Sequence, residues 1–432
     1  MNLEYVKSLP VYNHYDILVA GSGPAGICAS VAAAREGASV CLIERYGVIG
    51  GNLTVGHVGP VLGMVGKGTM RDELVRLLGI PDNDMIGVTG VAHDFEKAKI
   101  ELTRFVTHPQ IDILLQTAVV DTLMAGKSIK GLICSGKEGL FAVTGRIVID
   151  ASGDGDVAYL AGAPVMKGRE DGLMQPVTLE FTIDGVDEDK AIVCIGDVDD
   201  VKLNGERFLS WCKRQARNGL IPEKLAAIRL HRTSRPGQRQ VNTTQVNGID
   251  ATIGSSLFKA ESELRNQIDL LIAFLRNNLP GYENCYCISS ASTLGVRESR
   301  RIRGHYLLTA EECIAGKKFS DVMVHNAEFI VDIHNPEGAG QAEDKIQGVR
   351  PYDIPYGCFV PLNVDNLYVA GRCISGTHRA HASYRIMSVC MAMGQAVGVA
   401  AALCCRNRCN PDKLNVSEVQ DRLTDLGIEL YS

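Results

Sequence analysis

The chain has 432 residues, with 44 Lys and Arg against 50 Asp and Glu, so its formal net charge is −6. This mild acidity argues against a nucleic-acid partner, because proteins that bind a phosphate backbone usually carry a strong basic patch. Its 45 glycines have no Gly-X-Y period and its prolines number only 15, which excludes collagen and Pro/Gly-rich disordered chains.

The front of the chain predicts a β-α-β unit. Residues 16–20 form a short apolar run, as in a buried strand, and a glycine-rich turn follows at 21–26. Residues 27–36 are rich in Ala and favour a helix, which Gly37 caps. Residues 38–43 are a second apolar strand that ends in Glu44.

The turn of this unit has the spacing of a dinucleotide site. Gly21, Gly23 and Gly26 form G-x-G-x-x-G between a strand and a helix. Gly21 permits the tight turn, Gly23 lets backbone N–H groups approach a pyrophosphate, and Gly26 allows close packing of helix on strand. Glu44 would accept hydrogen bonds from the adenosine ribose, and its charge disfavours NADP.

Two later apolar strands also run into glycine, at 147–150 and 367–370, which suggests one sheet built from distant parts of the chain. Residues 175–345 look different: 175–183 and 321–334 appear extended, while 203–217 and 255–277 have helical periodicity. We therefore predict three segments: 1–172 and 351–432 form a nucleotide-binding domain, and 173–350 form an inserted domain.

Compartment and metal content follow from the cysteines and the apolar segments. The 14 cysteines contain no C-x-x-C pair, which argues against a zinc ribbon or an iron–sulfur cluster, and we expect no metal site and a cytoplasmic location. Residues 386–405 carry no charge, but we interpret them as a buried helix, so we expect no membrane association.

Motifs spread over nearly the whole chain indicate a family. They are residues 351–356, 366–385 and 394–398 near the end, 148–156 in the middle, and 295–304 with 332–336 in the insertion. Together they closely resemble the FAD-dependent oxidoreductase family, which is related to fumarate-reductase and glutathione-reductase-type flavoproteins. The resemblance implies an α/β protein, with a Rossmann-like FAD-binding domain of the glutathione-reductase type and an inserted α+β substrate domain.

The resemblance also implies which residues bind FAD. The long helix before residue 405 would begin near Ser383 and aim its N-terminus at the pyrimidine edge of the flavin. The implied FAD residues are Gly21, Gly23, Pro24, Ala25, Gly26, Glu44, Arg45, Gly50, Gly51, Asn52, Ala151, Ser152, Gly153, Gly371, Arg372 and Ser383.

A polar loop before this helix supplies the candidate catalytic residues. His378 is the preferred general acid or base, because imidazole titrates near neutral pH. Arg385 or Arg379 would hold a substrate carboxylate. For His57, flavin-lining or plain packing is favoured over covalent attachment to the flavin.

Other charged residues of the insertion are weaker candidates. Arg297 lies in a dense charge run that is more typical of a solvated helix face than of a cleft. Asp332 and His334 alternate onto one face of an extended segment, where a structural or cleft-lining role is expected.

The leading hypothesis is an FAD-dependent oxidoreductase that transfers two electrons, as hydride, between the flavin and a small polar organic substrate. Alternatives are a fumarate-reductase-like reductase of an activated C=C bond, a flavin-bearing electron-transfer subunit of a larger complex, and a protein whose flavin is structural. A homo-oligomer is expected only from the frequency of oligomers among soluble enzymes.

Overall fold

The computed structural model describes residues 3–80, 91–194, 200–340, 342 and 347–431. The helices of this part of the chain are α1 Pro24–Arg35, α2 Met70–Leu78, α3 Phe95–Val106, α4 Asp156–Leu160, α5 Phe208–Arg217, α6 Gly254–Asn278, α7 Ala310–Ala315, α8 His378–Tyr384, α9 Met387–Asn407 and α10 Val416–Asp425. The strands are β1 Val11–Ala20, β2 Val40–Ile43, β3 Ile111–Leu114, β4 Ala118–Ala125, β5 Ser128–Gly136, β6 Gly139–Asp150, β7 Val165–Lys167, β8 Phe181–Asp184, β9 Lys202–Leu203, β10 Glu206–Arg207, β11 Leu230–Arg232, β12 Arg239–Val241, β13 Tyr286–Ser290, β14 Arg300–Ile302, β15 Val322–Ala327, β16 Tyr352–Pro355 and β17 Leu367–Val369.

The main sheet is assembled from distant parts of the chain, as predicted. Its order is β3-β2-β1-β6-β5-β4, and β3, β2, β1 and β6 run parallel. β5 pairs antiparallel with the first half of β6, and β17 pairs parallel with its last three residues. The turns that follow β1, β2, β6 and β17 therefore meet at one edge of the sheet, where ligands of parallel sheets bind.

The β-α-β unit is confirmed with small differences in its bounds. α1 begins at Pro24, earlier than the predicted residue 27, because proline suits the first turn of a helix. β1, β2 and β6 are apolar where they pair, and Ile17, Val40 and Ile147 are fully buried in the first hydrophobic core.

A second hydrophobic core belongs to the predicted insertion. The antiparallel sheet β11-β12-β8-β13 packs with α5 and α6 around a cluster that runs from Val177 to Leu294. α6 matches the predicted helix at 255–277, whereas α5 begins only at Phe208, because Lys202–Leu203 and Glu206–Arg207 form a small hairpin instead.

The first core extends further into the predicted insertion than the boundary at residue 350 suggests. Leu308, Val322 and Val324 pack in the first core, because β15 pairs with β16 and lies beside the long helix α9. The division of the chain at 172 and 350 remains a prediction, but the second core ends well before residue 350.

α9 is the central helix of the first core. It is long and apolar enough to cross a membrane, but 94% of its apolar window is buried inside the molecule. It crosses α1 so closely that a Cβ at Gly394 would lie 2.0 Å from the Ala25 carbonyl oxygen, and one at Gly398 would lie 2.4 Å from that of Ala29. Glycine at these positions therefore allows the two helix backbones to touch.

Candidate active site

A cleft of about 640 Å³ opens at the carboxyl edge of the main sheet. One wall is formed by the turns after β1, β2, β6 and β17. The opposite wall comes from the insertion, through residues near the start of α6 and through residues 292–296. Both parts of the molecule thus contribute to a single cleft.

The turn after β1 has the backbone geometry that the glycine spacing predicts. Gly21 has φ 95°, and a Cβ there would lie 2.6 Å from the Ala151 carbonyl oxygen. A Cβ at Gly26 would lie 1.8 Å from the Gly21 carbonyl oxygen, so Gly26 lets α1 pack on the turn. A Cβ at Gly23 would meet no described atom within 4 Å, which leaves space for a ligand against this backbone.

Glu44 fastens this turn to the end of β2. Its carboxylate is buried and accepts hydrogen bonds from the Ser22 backbone N–H and the Tyr46 backbone N–H, both at 2.8 Å. Because Glu44 also lines the cleft, it can orient the turn and still face a ribose.

The double-glycine loop lies directly against the turn. The Gly50 backbone N–H donates to the Ser22 carbonyl oxygen at 2.9 Å, and a Cβ at Gly51 would lie 2.9 Å from the Gly23 Cα. Gly51 and Asn52 line the cleft. The loop therefore closes over the turn only because no side chain intervenes.

Two arginines lie at the middle of the cleft. Arg372 Nη2 donates to Asp154 at 2.9 Å, and Arg45 Nη2 lies 3.6 Å from the other oxygen of the same carboxylate. Burial opposes ionisation of Asp154, but the charge of Arg372 and the hydroxyl of Ser299 hold its pKa below the ordinary value. The Nη1 of Arg372 is buried and has no hydrogen-bond partner among the described residues. A cation with a spare donor beside an open backbone turn fits a diphosphate.

Most of the predicted cofactor residues meet in this cleft. Of the predicted residues, all of which the structure describes, only Gly26, Gly50 and Ser383 contribute no lining atom. The residues that do line it are Gly21, Gly23, Pro24, Ala25, Glu44, Arg45, Gly51, Asn52, Ala151, Ser152, Gly153, Gly371 and Arg372.

The predicted start of the long helix is wrong by four residues. Ser383 lies in the last turn of the short helix α8, and its buried hydroxyl hydrogen-bonds the Tyr352 hydroxyl at 2.9 Å. The long helix α9 begins at Met387, after a break at Ile386, and Met387 and Cys390 line the cleft. The α9 N-terminus thus takes the place predicted for Ser383.

The three predicted catalytic residues occupy different environments. Arg385 lines the cleft and donates to Asp332 at 2.9 Å. His378 is largely buried outside the lining, where its Nδ1 hydrogen-bonds Glu298 at 2.9 Å. Arg379 pairs with Glu311 at 2.8 Å, and that carboxylate is mostly exposed. The structure therefore separates the two arginines that the sequence offered as alternatives.

His57 packs in the interior beside the double-glycine loop. Its ring stacks on Phe95, with 4.4 Å between the ring centroids. Burial lowers the pKa of His57 to about 4, so the ring is neutral near pH 7. This environment agrees with the packing interpretation.

Sequence reasoning missed the wall that the insertion supplies. Leu257, Phe258 and Glu261 on α6 line the cleft, together with Leu294 and Val296 after β13. Leu257 and Glu261 are four positions apart on one helix, but this pattern alone does not distinguish a cleft-facing stripe from any other face. Only the folded arrangement brings these residues to the nucleotide turn.

The fold and the cleft together define a dinucleotide-binding α/β protein. A family model described as FAD dependent oxidoreductase matches residues 16–423. The chain belongs to this family, it is an enzyme, and its cofactor is FAD.

Individual relatives match much shorter segments of this chain than the family model does. A NADH:fumarate oxidoreductase of Klebsiella pneumoniae (strain 342) is 28% identical over 188 residues, which are 32% of this chain and 20% of that protein. A soluble pyridine nucleotide transhydrogenase of Mycobacterium bovis (strain BCG / Pasteur 1173P2) is 35% identical over 75 residues, which are 17% of this chain and 15% of that protein. The matched segments thus span only about a fifth or less of these relatives.

Among solved structures, a geranylgeranyl bacteriochlorophyll reductase-like protein from Thermoplasma acidophilum is similar. The sequences are 12% identical, the TM-score is 0.49, and the similarity covers 96% of this chain and 84% of that one.

Proposed function

We propose that this enzyme transfers two electrons, as a hydride equivalent, between FAD and a small polar organic substrate. The supporting observation is the continuity of the cleft, which runs from the nucleotide turn at Gly21–Ala25 to Arg385 and the insertion residues Leu294 and Val296. A cofactor bound along this wall would end where both parts of the molecule enclose a small site.

The proposal includes the glutathione-reductase-type arrangement of the nucleotide domain. The FAD residues are those that line the cleft, and the buried donor of Arg372 and the open space at Gly23 fit the diphosphate. When bound, FAD supplies the two-electron chemistry. The protein excludes water, orients the substrate and moves its proton.

We propose His378 as the residue that exchanges the substrate proton, with Glu298 as its positioning partner. Glu298 is fully buried, and Arg301 donates to the carboxylate oxygen that contacts His378. The other oxygen of Glu298 accepts the Gln175 backbone N–H at 3.1 Å. This network fixes the orientation of the imidazole next to the segment at Gln175.

The decisive experiment is an anaerobic substrate screen, read from the flavin absorbance band. Bleaching by hydroxy acids, amines or sugars supports a dehydrogenase, whereas reoxidation of the photoreduced flavin by enoates supports reduction of a C=C bond. A response to a partner protein only would favour an electron-transfer subunit and contradict the proposal.

The role of His378 is tested with the substrate that the screen identifies. His378→Ala should keep FAD bound and slow turnover about 10²-fold. His305→Ala, at an exposed histidine, is the matched control. Unchanged turnover of His378→Ala would remove this residue from the mechanism.

We further propose a cytoplasmic location and a small molecule as the partner. In the described part of the chain the cysteines form no disulfide, as is usual for a reducing compartment.

A further inference from the structure

A network of polar contacts joins Arg385 to Arg297 at one end of the cleft, here called its inner end. Arg297 follows Val296, which lines the cleft, and its guanidinium is buried. Burial and the like charges of Arg385 and Arg229 lower the pKa of Arg297. Such a group of cations is costly to bury unless anions compensate it.

Two acidic side chains lie near these arginines. Asp332 accepts a hydrogen bond from Arg385, and Glu180 lies near Arg297 and Arg229. Burial raises the pKa of Glu180, which further reduces the negative charge that it supplies. The Nε2 of His334 lies 3.4 Å from a carboxylate oxygen of Asp332. His334 adds no charge at neutral pH, because burial and the charge of Arg297 lower its pKa to about 3. The guanidinium of Arg297 hydrogen-bonds neutral oxygens, those of Pro176 and Asn242.

Two hydrogen-bond donors of the same region have no acceptor among the described residues. They are Nε of Arg385 and Nε2 of Gln175, and both are buried. Gln175 is only 1% exposed, and its Oε1 accepts the backbone N–H of His334 at 3.2 Å. The Pro176 carbonyl oxygen accepts a hydrogen bond from Arg297 at 2.9 Å, so this segment joins the two sides of the cluster. Buried donors without acceptors destabilise a protein unless a ligand satisfies them.

We propose that this cluster binds the carboxylate group of the substrate, with Arg385 and Arg297 as its cationic donors and Gln175 as a neutral donor. Guanidinium groups together with unused planar donors suit a planar anion with two acceptor oxygens. The inference rests on the proposed function and names its substrate class: a small molecule with a carboxylate at one end and the oxidised or reduced carbon beside it. Arg385 lines the cleft and gives the carboxylate its access.

The test is a binding measurement on the FAD-loaded enzyme that does not depend on turnover. Acetate, propionate, malonate and succinate are titrated against the flavin absorbance spectrum, with the corresponding primary amides as controls. We expect the carboxylates to perturb the spectrum at millimolar concentration and the amides to bind at least 10-fold more weakly. Equal binding of acids and amides, or no carboxylate binding, would overturn the proposal.

Variants assign the carboxylate to these residues. Arg385→Gln and Arg297→Gln should each raise the dissociation constant of the best carboxylate at least 10-fold while FAD remains bound. Arg214→Gln, at an exposed arginine paired with Glu206, is the matched control and should bind as the parent does. The FAD content and the melting temperature of each variant are measured, because the buried Arg297 variant can fail to fold. If Arg297→Gln is unstable, the proposal is decided by Arg385→Gln alone. An Arg385→Gln enzyme that binds carboxylates as tightly as the parent would contradict the proposal.

The two proposals fail in different ways. If an amine or sugar without a carboxylate bleaches the flavin and no carboxylate binds, the carboxylate site is wrong and the proposed function stands. If carboxylates bind and no small molecule changes the flavin redox state, the site stands and the proposed function is wrong.

Discussion

The two ends of the cleft recognise their ligands by different means. At the nucleotide end, the turn at Gly21–Ala25 and the loop at Gly51–Asn52 present backbone to the ligand. At the inner end, Gln175 and Arg297 present buried side chains and Arg385 presents a partly buried one. Recognition by backbone atoms requires that no side chain lies between the backbone and the ligand. Recognition at the inner end requires charged and polar side chains at specific positions.

This difference bears on how each end tolerates change. An added methyl group is enough to damage the nucleotide end, where Cβ atoms would overlap backbone atoms. The inner end is sensitive to changes of charge, because loss of an arginine takes a cation away from buried carboxylates. The predictions below test this contrast.

The largest effect is expected at Gly26. A Cβ there would lie 1.8 Å from the Gly21 carbonyl oxygen, so Gly26→Ala must push α1 away from the turn. We expect the free energy of unfolding of the apoprotein to fall by about 3 kcal/mol, the upper part of the usual range for overpacking. Urea unfolding of the apoprotein measures this loss.

Gly23→Ala is the matched comparison within the same motif. Its Cβ meets no described atom, and its φ of −67° suits alanine, so apoprotein stability should change by less than about 1 kcal/mol. FAD affinity should nevertheless fall at least 10-fold, because the methyl group takes up the space next to the turn. Equal stability losses in both variants would contradict the division between a packing glycine and a ligand-facing glycine.

A smaller effect is expected at Arg372, where the nucleotide end uses a charge. Arg372→Met removes the buried donor at the cleft and should weaken FAD binding by about 1.5–3 kcal/mol, the usual range for a hydrogen bond to a charged group. It also leaves Asp154 short of its closest cation. Fluorescence titration of the apoprotein with FAD measures the loss.

The double variant Arg372→Met/Asp154→Asn separates these two effects. It removes the buried carboxylate together with its cation. The melting temperature should therefore return towards that of the parent, whereas the FAD affinity should stay as low as in Arg372→Met. Recovery of both quantities would show that Arg372 acts only through Asp154.

The same contrast explains how much the sequence could predict. Gly21, Gly23, Gly26 and Glu44 lie within one β-α-β unit, and the spacing of such a unit determines both its local conformation and its ligand. The motif therefore predicted the turn, its strand and helix, and the nucleotide end of the cleft. The start of α9 was misplaced, since the break at Ile386 separates two helices that look continuous in sequence.

The inner end could not be found in this way. Gln175, Arg297 and Arg385 lie far apart in the chain, and a buried arginine looks like a solvated one until its surroundings are known. The dense charge run around Arg297 favoured the solvated interpretation, but Glu298 and Arg301 are buried as an ion pair. Long-range pairing of charges is a property of the fold and leaves no local pattern.

The pH dependence of stability should depend on His57, which packs on Phe95 beside the double-glycine loop. Its pKa in the folded protein is lowered to about 4, chiefly by burial, from an ordinary value of 6.5. The unfolded chain then binds the additional proton between pH 6.5 and 4, so stability falls as the pH drops through this window. His57→Asn should reduce the loss between pH 7.5 and 5 by about 1–2 kcal/mol.

Asparagine is chosen because it tolerates the left-handed backbone at φ 49°. The measurement is urea unfolding of the apoprotein at the two pH values. His305→Asn, at an exposed histidine, should keep the pH dependence of the parent. An unchanged pH dependence in His57→Asn would mean that the buried ring does not contribute to it.

The smallest effect is expected at Arg379, the surface counterpart of Arg385. Its ion pair with Glu311 lies at the exposed face of α8, where such pairs contribute less than about 1 kcal/mol. Arg379→Gln should therefore change turnover less than twofold, whereas Arg385→Gln should raise the KM for a carboxylate substrate at least 10-fold. Steady-state kinetics of the two variants decide which arginine holds the carboxylate. A larger effect in Arg379→Gln than in Arg385→Gln would indicate that the substrate binds at the outer face of α8 and not in the cleft.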